Sequence, residues 1–110
     1  MPHIVLEYSH NVDAALTSSN VLQKLHKAVI DTGLFSPEAV KARALSYSHI
    51  VLTDGAQSFA HVTVSILSGR SLEQCKELGQ QVFEVLCAAL PEVEKKSVNI
   101  HEMEKETYYK

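Results

Sequence analysis

The chain has 110 residues, which is enough for one modest hydrophobic core but not for two domains. Hydrophobic residues make up 45% of the sequence and charged residues 21%, and this composition excludes a disordered or fibrous protein. The formal net charge of -3 argues against a general nucleic-acid-binding protein.

The start of the chain and its two cysteines indicate where the protein works. Charged residues interrupt every apolar stretch, so no run approaches the ~20 residues of a membrane helix. The first four residues lack the basic start of a signal peptide. Cys75 and Cys87 fall in one predicted helix, roughly 18 Å apart along it, and cannot pair there. We therefore expect a cytoplasmic protein with reduced thiols and no membrane partner.

The first half of the chain contains a predicted helix between two predicted strands. Residues 3–8 form an almost continuous apolar run, which is typical of a buried strand. A helix follows, which Ser18 or Ser19 can cap and Gly33 can end. Its apolar positions, at helical spacing, are Val21, Leu22, Leu25, Val29 and Ile30. After a loop, alternating residues 40–49 predict a second strand.

The second half repeats this order. Strict alternation over residues 60–66 predicts a half-buried strand. Ser71 and Gln74 have the spacing of a capping box at the start of a helix that Pro91 ends. One apolar face of this helix contains Leu72, Cys75, Leu78, Val82, Leu86 and Ala89. The last predicted strand includes Val98 and Ile100.

The two halves match in register as well as in order. The same sequence offset separates Pro2 from Ala60 and Val40 from Val98, which indicates duplication of one β-α-β unit. We therefore expect a single domain over residues 1–110 whose halves, 2–49 and 59–105, are internal repeats. Its fold class is α/β (α+β in some schemes), with a four-stranded sheet and two helices on one face.

Such a sheet leaves its other face uncovered. We expect Ile4 or Val5, Leu6, and Val62 or Thr63 to point outward there. An apolar patch of that size is unusual on a monomer, so this arrangement predicts an oligomer. The pattern itself does not choose between two-fold and three-fold symmetry.

Pro2 is the candidate base. If Met1 is removed, Pro2 carries a free secondary amine, and burial and nearby cations would lower the pKa of that amine toward neutrality. The plain alternative is that Pro2 is an ordinary second residue. Ala60, its counterpart in the repeat, is internal and has no amine, so only the first half can supply such a base.

Anion binding and metal binding have different support in the sequence. Arg43 and Arg70 are the only arginines, and a guanidinium can grip a carboxylate with two hydrogen bonds, although isolated arginines are commonly surface residues. The six histidines show no ligand spacing typical of a metal site, so we predict no metal site.

The C-terminal tail is charged and contains Tyr108 and Tyr109. These residues either reach toward a neighbouring subunit or belong to a disordered end.

Five short stretches together carry a family resemblance. They are MPHIVLEYS (1–9), TGLF (32–35), VKAR (40–43), FAHVTV (59–64) and GRSLEQ (69–74). In this order and spacing the chain resembles the 5-carboxymethyl-2-hydroxymuconate isomerases of the tautomerase superfamily. The second half is also similar to the short 4-oxalocrotonate tautomerases.

The resemblance implies a homotrimer with active sites near subunit boundaries. It implies an isomerase that shuttles a proton on a small anionic substrate, an unsaturated dicarboxylate from aromatic-compound breakdown, without metal or cofactor. By position, the catalytic residues would be Pro2 as the base and Arg70 as a carboxylate-binding or polarising group. Lys41 and Arg43 would bind substrate, because the family carries two arginines on this strand.

The sequence departs from the family pattern at two positions. Lys41 stands where an arginine is expected. Its ammonium group is a point charge, whereas a guanidinium group can bind a carboxylate with two hydrogen bonds. Asn99 stands where the short tautomerases have arginine, so the second half lacks their full site. Two alternatives follow: a tautomerase for another keto acid, or a non-catalytic trimeric binding protein if Met1 is retained.

Overall fold

The four strands form one mixed sheet. The computed structural model describes all residues from Met1 to Lys110. The strands β1 (His3–Ser9), β2 (Lys41–Tyr47), β3 (Phe59–Leu67) and β4 (Lys95–Met103) lie in the order β2-β1-β3-β4. The outer pairs are parallel, and the central pair β1–β3 is antiparallel. Each parallel pair is connected through helices, so each half of the chain is a β-α-β unit. No helix is both long and apolar enough to span a membrane.

The first half contains two helices where one was predicted. Helix α1 (Asp13–Ser19) and helix α2 (Val21–Asp31) meet at Asn20, which has a left-handed backbone with φ +55°. Asparagine tolerates this conformation better than most residues, and it breaks the helical path. The predicted cap at Ser18 or Ser19 is therefore wrong, because both residues end α1 and bond back to carbonyls within it.

The helix of the second half begins as predicted. Helix α3 (Leu72–Ala89) has Ser71 at its N-cap. The Gln74 amide donates to the Ser71 hydroxyl at 3.1 Å, and the Gln74 side-chain oxygen accepts from the Ser71 amide at 3.0 Å. The capping box is complete, and α3 ends just before Pro91.

The helices pack on one face of the sheet, and this face holds the core. Ile4, Leu6, Val62 and Val64 are fully buried beneath the helices. The prediction that Leu6 points outward is wrong, and Ile4 and Val62 also point inward. Val5 and the residues in phase with it face the other side, because side chains alternate along a strand.

The uncovered face is mainly polar. Register places on it the polar and charged residues His3, Glu7, Lys41, Arg43, His61, Thr63, Ser65, Lys95, Ser97, Asn99 and His101, together with a smaller set of apolar and aromatic residues, Val5, Leu45, Tyr47, Phe59, Leu67 and Met103. The first strand is a nearly continuous apolar run, so the sequence alone does not show which of its residues face the core. Leu6 is compatible with either face of the sheet. Oligomerisation therefore cannot be argued from an exposed apolar sheet face.

Candidate active site

The amino terminus lies at the start of the sheet, beside the first residue of β2. Pro2 is buried, and its carbonyl accepts a hydrogen bond of 3.1 Å from the Lys41 amide. This bond continues the parallel pairing of β1 with β2. The pairing therefore fixes Lys41 next to Pro2, although 38 residues of intervening chain include two helices.

Positive charge surrounds the amino terminus. Burial is the first cause that lowers the pKa of the Met1 α-amino group below its ordinary value. The charges of Lys110, Arg70 and Lys41 lower it further, in that order. These three cations come from the C-terminus, the loop after β3 and the start of β2. An amine at this place is therefore biased toward its neutral form.

Arg70 is held by the loop that follows α2. Its guanidinium Nη2 donates to the Leu34 carbonyl at 2.9 Å. The guanidinium carbon also lies 4.4 Å from the ring centroid of Phe35. Arginine stacks well on an aromatic face, and both contacts restrict its orientation. The TGLF and GRS motifs, which are distant in sequence, thus contact each other.

The loop itself is fixed by local hydrogen bonds. Gly33, with φ +74°, follows the end of α2 and donates to the Ile30 carbonyl at 3.0 Å. The Thr32 hydroxyl donates to the Val29 carbonyl at 2.6 Å and accepts from the Leu34 amide at 3.3 Å. A left-handed residue after a helix is a common terminator, and glycine adopts it without strain. The Leu34 carbonyl is thereby held toward Arg70.

Gly69, immediately before Arg70, occupies a position that favours glycine over any residue with a side chain. Its φ of +118° is unfavourable for any residue with a side chain. A Cβ at this position would lie 3.0 Å from the Lys105 ammonium nitrogen. The C-terminal segment therefore approaches the backbone beside Arg70 closely.

Arg43 contacts His3 on the uncovered face of the sheet. Its Nη1 lies 3.1 Å from His3 Nδ1, and His3 Nε2 lies 2.7 Å from the Tyr108 hydroxyl. Burial lowers the pKa of His3 below its ordinary value, and the charges of Arg43, Lys41 and the amino terminus lower it further. His3 is therefore neutral near pH 7 and occupies the centre of a three-residue chain.

The structure brings most of the predicted site residues together. Pro2, Lys41 and Arg70 converge on the amino terminus, whereas Arg43 is linked to it through His3. The Lys41 ammonium group is exposed and donates only to the Ala39 carbonyl at 3.4 Å. It is free to contact an anion.

Sequence reasoning did not assign four residues of this region to the site, although it named Tyr108 as part of the tail. They are His3, Lys105, Tyr108 and Lys110. His3 adjoins Pro2, which was the one available signal. The tail residues are remote in sequence and carry no local pattern that assigns them to the amino terminus.

The surface around the amino terminus suits an anion. No group of three or more His, Cys, Asp or Glu side chains is arranged to hold a metal ion. The four surface cavities are lined by other residues, and none includes Pro2, Arg43 or Arg70. In a single chain the predicted site residues therefore line no enclosed cavity.

Known proteins share this sequence and fold. A curated 5-carboxymethyl-2-hydroxymuconate Delta-isomerase of Escherichia coli is 28% identical over 88 residues, 78% of this chain and 70% of the relative. The crystal structure of a 5-carboxymethyl-2-hydroxymuconate isomerase from Deinococcus radiodurans has a TM-score of 0.87 and 29% identity, covering 99% of this chain and 87% of that one. A fused 4-OT described as a symmetric trimer shares the fold, with a TM-score of 0.76 and 20% identity over 94% of this chain and 86% of that one.

These similarities define an isomerase with the tautomerase fold. Residues 2–110 match the family described as 5-carboxymethyl-2-hydroxymuconate isomerase. The chain belongs to that family, as the resemblance of its motifs predicted.

Proposed function

We propose that the protein catalyses a cofactor-free proton transfer on an unsaturated polycarboxylate such as 5-carboxymethyl-2-hydroxymuconate. The base is the secondary amine of Pro2 after removal of Met1. The observation that carries this proposal is the place of Pro2, which bonds to the Lys41 amide and directly follows Met1, whose α-amino pKa is lowered by burial and by the charges of Lys110, Arg70 and Lys41. A neutral amine next to an anion-binding surface is the arrangement that this reaction needs.

The reaction requires one proton to move from the hydroxyl oxygen of the dienol to a carbon at the far end of its conjugated double bonds. The neutral Pro2 amine takes the proton from the hydroxyl group, which leaves a dienolate and a secondary ammonium group. The ammonium group then gives the proton to that carbon, the hydroxyl oxygen becomes a keto oxygen, and the double bonds shift. The enzyme is regenerated without a net gain or loss of protons or electrons.

The cations stabilise the charge that develops during this transfer. Arg70 is restrained by Leu34 and Phe35, so its orientation requires little reorganisation when the dienolate forms. Lys41 and Arg43 bind a substrate carboxylate. Lys41 supplies a point charge, so Arg43 is the residue on β2 that can form a bidentate pair.

A homotrimer completes the site in this proposal. In a single chain none of the four surface cavities contains Pro2, Arg43 or Arg70, so a bound substrate would not be enclosed. A subunit boundary beside the amino terminus would enclose it. The symmetric trimer described for the fused 4-OT of similar fold supports three-fold assembly.

Two measurements test this function. Intact mass of the purified protein shows whether Met1 is absent, and an ultraviolet assay follows isomerisation of dienols and unsaturated keto acids. We expect loss of Met1 and turnover of such a polycarboxylate, in a cytoplasmic enzyme of aromatic-compound breakdown. Turnover only of another keto acid would assign a different tautomerase activity. Retention of Met1 without turnover would support a non-catalytic trimeric binding protein.

A further inference from the structure

His3 is the one side chain that joins Arg43 to the C-terminal segment. Both of its ring nitrogens are engaged, one by Arg43 and the other by Tyr108. The His3 and Tyr108 rings also meet edge to face, with centroids 6.0 Å apart. His3 follows Pro2 directly in sequence, so this chain of contacts begins at the amino terminus.

The partners of His3 determine which of its nitrogens carries the proton. A guanidinium can only donate hydrogen bonds, so Nδ1 must accept from Arg43 and be unprotonated. The ring proton is then on Nε2, which donates to the Tyr108 hydroxyl. Protonation of Nδ1 would replace the bond from Arg43 with repulsion between two cations. The geometry therefore requires the neutral Nε2–H tautomer.

We propose that His3 is a positioning residue that orients the Arg43 guanidinium for a substrate carboxylate and holds the C-terminal segment beside the amino terminus. This inference rests on the proposed role of Arg43 in anion binding. Arg43 is exposed, so without the His3 acceptor its side chain would populate several rotamers and would no longer be held in one orientation. Tyr108, through the same ring, keeps the end of the chain close enough for Lys110 to act on the amino terminus.

The internal repeat provides a matched control. His61 is the counterpart of His3 and lies on the same face of the sheet, opposite Glu7. Its Nδ1 is 2.6 Å from the Ser97 hydroxyl, and it contacts neither an arginine nor the tail. A substitution at His61 therefore removes a similar ring from the same face without disturbing Arg43.

Two kinds of variant separate positioning from a merely structural role. His3→Phe keeps a ring but removes both bonds, whereas His3→Asn keeps an acceptor near the place of Nδ1. We expect His3→Phe to weaken binding of glutarate, a non-reacting dicarboxylate, ~5–10-fold in calorimetry, the loss of about one hydrogen bond to a charged group. His3→Asn is expected to recover binding to within ~3-fold of wild type, and His61→Phe to change it by less than ~2-fold.

Kinetics on a substrate that the enzyme turns over give the second measurement. At a pH where the amine is neutral in both proteins, we expect His3→Phe to raise KM ~5–10-fold while kcat stays within ~3-fold, because Arg43 holds a carboxylate and does not act at the reacting atoms. If His3→Phe does not fold, His3→Gln replaces it, since its amide can donate near the place of Nε2 but leaves Arg43 without an acceptor. We expect His3→Gln to bind glutarate as weakly as His3→Phe.

The outcomes distinguish this inference from the proposed function. If no substrate is turned over but glutarate binding still depends on His3 in this order, the proposed function fails and the positioning role stands. Glutarate binding unchanged in His3→Phe, or not restored in His3→Asn, overturns the positioning role. Absence of glutarate binding by the wild-type protein overturns it as well.

Discussion

The guanidinium of Arg70 lies 4.4 Å from the ring centroid of Phe35, so a loop of the first half orients a cation supplied by the second. The same guanidinium group donates a hydrogen bond of 2.9 Å from its Nη2 to the Leu34 carbonyl. Neither β-α-β half of the chain therefore supplies all the residues of the candidate site. The first half contributes the amine and the second contributes the restrained arginine.

Replacing Phe35 tests this restraint. Phe35→Leu keeps apolar volume but removes the aromatic face, and we expect kcat/KM to fall ~3–10-fold, within the usual range of a cation–π contact. Steady-state kinetics and a melting curve measure activity and stability together. Phe83→Leu is the control, since Phe83 is an exposed phenylalanine on α3. An equal loss of activity in both variants would contradict the orienting role of Phe35.

Pro2→Ala tests the base. The variant retains a primary amine after Met1 removal but loses the geometry and basicity of the secondary amine, so we expect kcat to fall ~10²-fold or more. The rate of the wild-type enzyme should rise with pH as its amine loses a proton. Its apparent pKa should lie below the ~7.7–8.0 of an ordinary α-amino group.

Intact mass is the control for Pro2→Ala, because both proteins must lack Met1 for the comparison to concern the amine. Full activity in a correctly processed Pro2→Ala variant would eliminate Pro2 as the base.

Arginine substitutions separate the cations of the site from ordinary surface charges. Arg70→Ala should mainly lower kcat, and Arg43→Ala should mainly raise KM for a dicarboxylate, each by ~10-fold or more. Lys41→Arg should be tolerated or bind substrate more tightly, since it supplies a second guanidinium group that can form two hydrogen bonds with a carboxylate. Lys27→Ala is the control, because Lys27 pairs only with Asp31 on the exposed surface of α2. Wild-type kinetics in both alanine variants would place the site elsewhere.

Local patterns predicted the elements, and their limits explain the errors. The capping box of Ser71 and Gln74 lies within four residues, so sequence was sufficient to locate it. The break at Asn20 depends on a left-handed conformation that asparagine adopts only in some contexts. The sequence did not show which residues of β1 face the core, because Val5 and Leu6 are both apolar. The pairing of β1 with β3, whose residues alternate in polarity, was needed to decide this.

The candidate site was predictable only where the family motifs cover it. Pro2, Lys41 and Arg70 belong to such motifs, and the structure gathers them at the amino terminus. The contact of His3 with Tyr108 joins residues 105 positions apart. No periodicity or spacing reports a contact between the two ends of a chain, so only the folded structure could reveal it.

Light scattering tests the assembly. The proposed homotrimer should give three times the 12.2 kDa chain mass at micromolar concentration. Since the uncovered sheet face is mainly polar, we expect the assembly to depend on ionic strength more than an apolar interface would. A stable and active monomer would contradict both the trimer and a site completed at a subunit boundary.

The pH dependence of stability gives a last test, centred on His3. Burial and the charges of Arg43, Lys41 and the amino terminus lower the pKa of His3 below 6.5 in the folded protein. The unfolded chain therefore binds more protons than the folded one just below pH 6.5, so this residue's contribution is complete above that pH. It is lost as the pH falls from about 6.5 through the folded pKa. We expect urea midpoints to decrease from pH 7.5 to pH 5.

The decrease should be smaller in His3→Asn, which has no titrating ring. His61→Asn is the matched control, because it removes a ring from the same face of the sheet and leaves the contacts of His3 with Arg43 and Tyr108 in place. An identical decrease in wild type and His3→Asn would show that the pKa of His3 is the same in the folded and unfolded protein, which would contradict its lowering by burial and by the neighbouring charges.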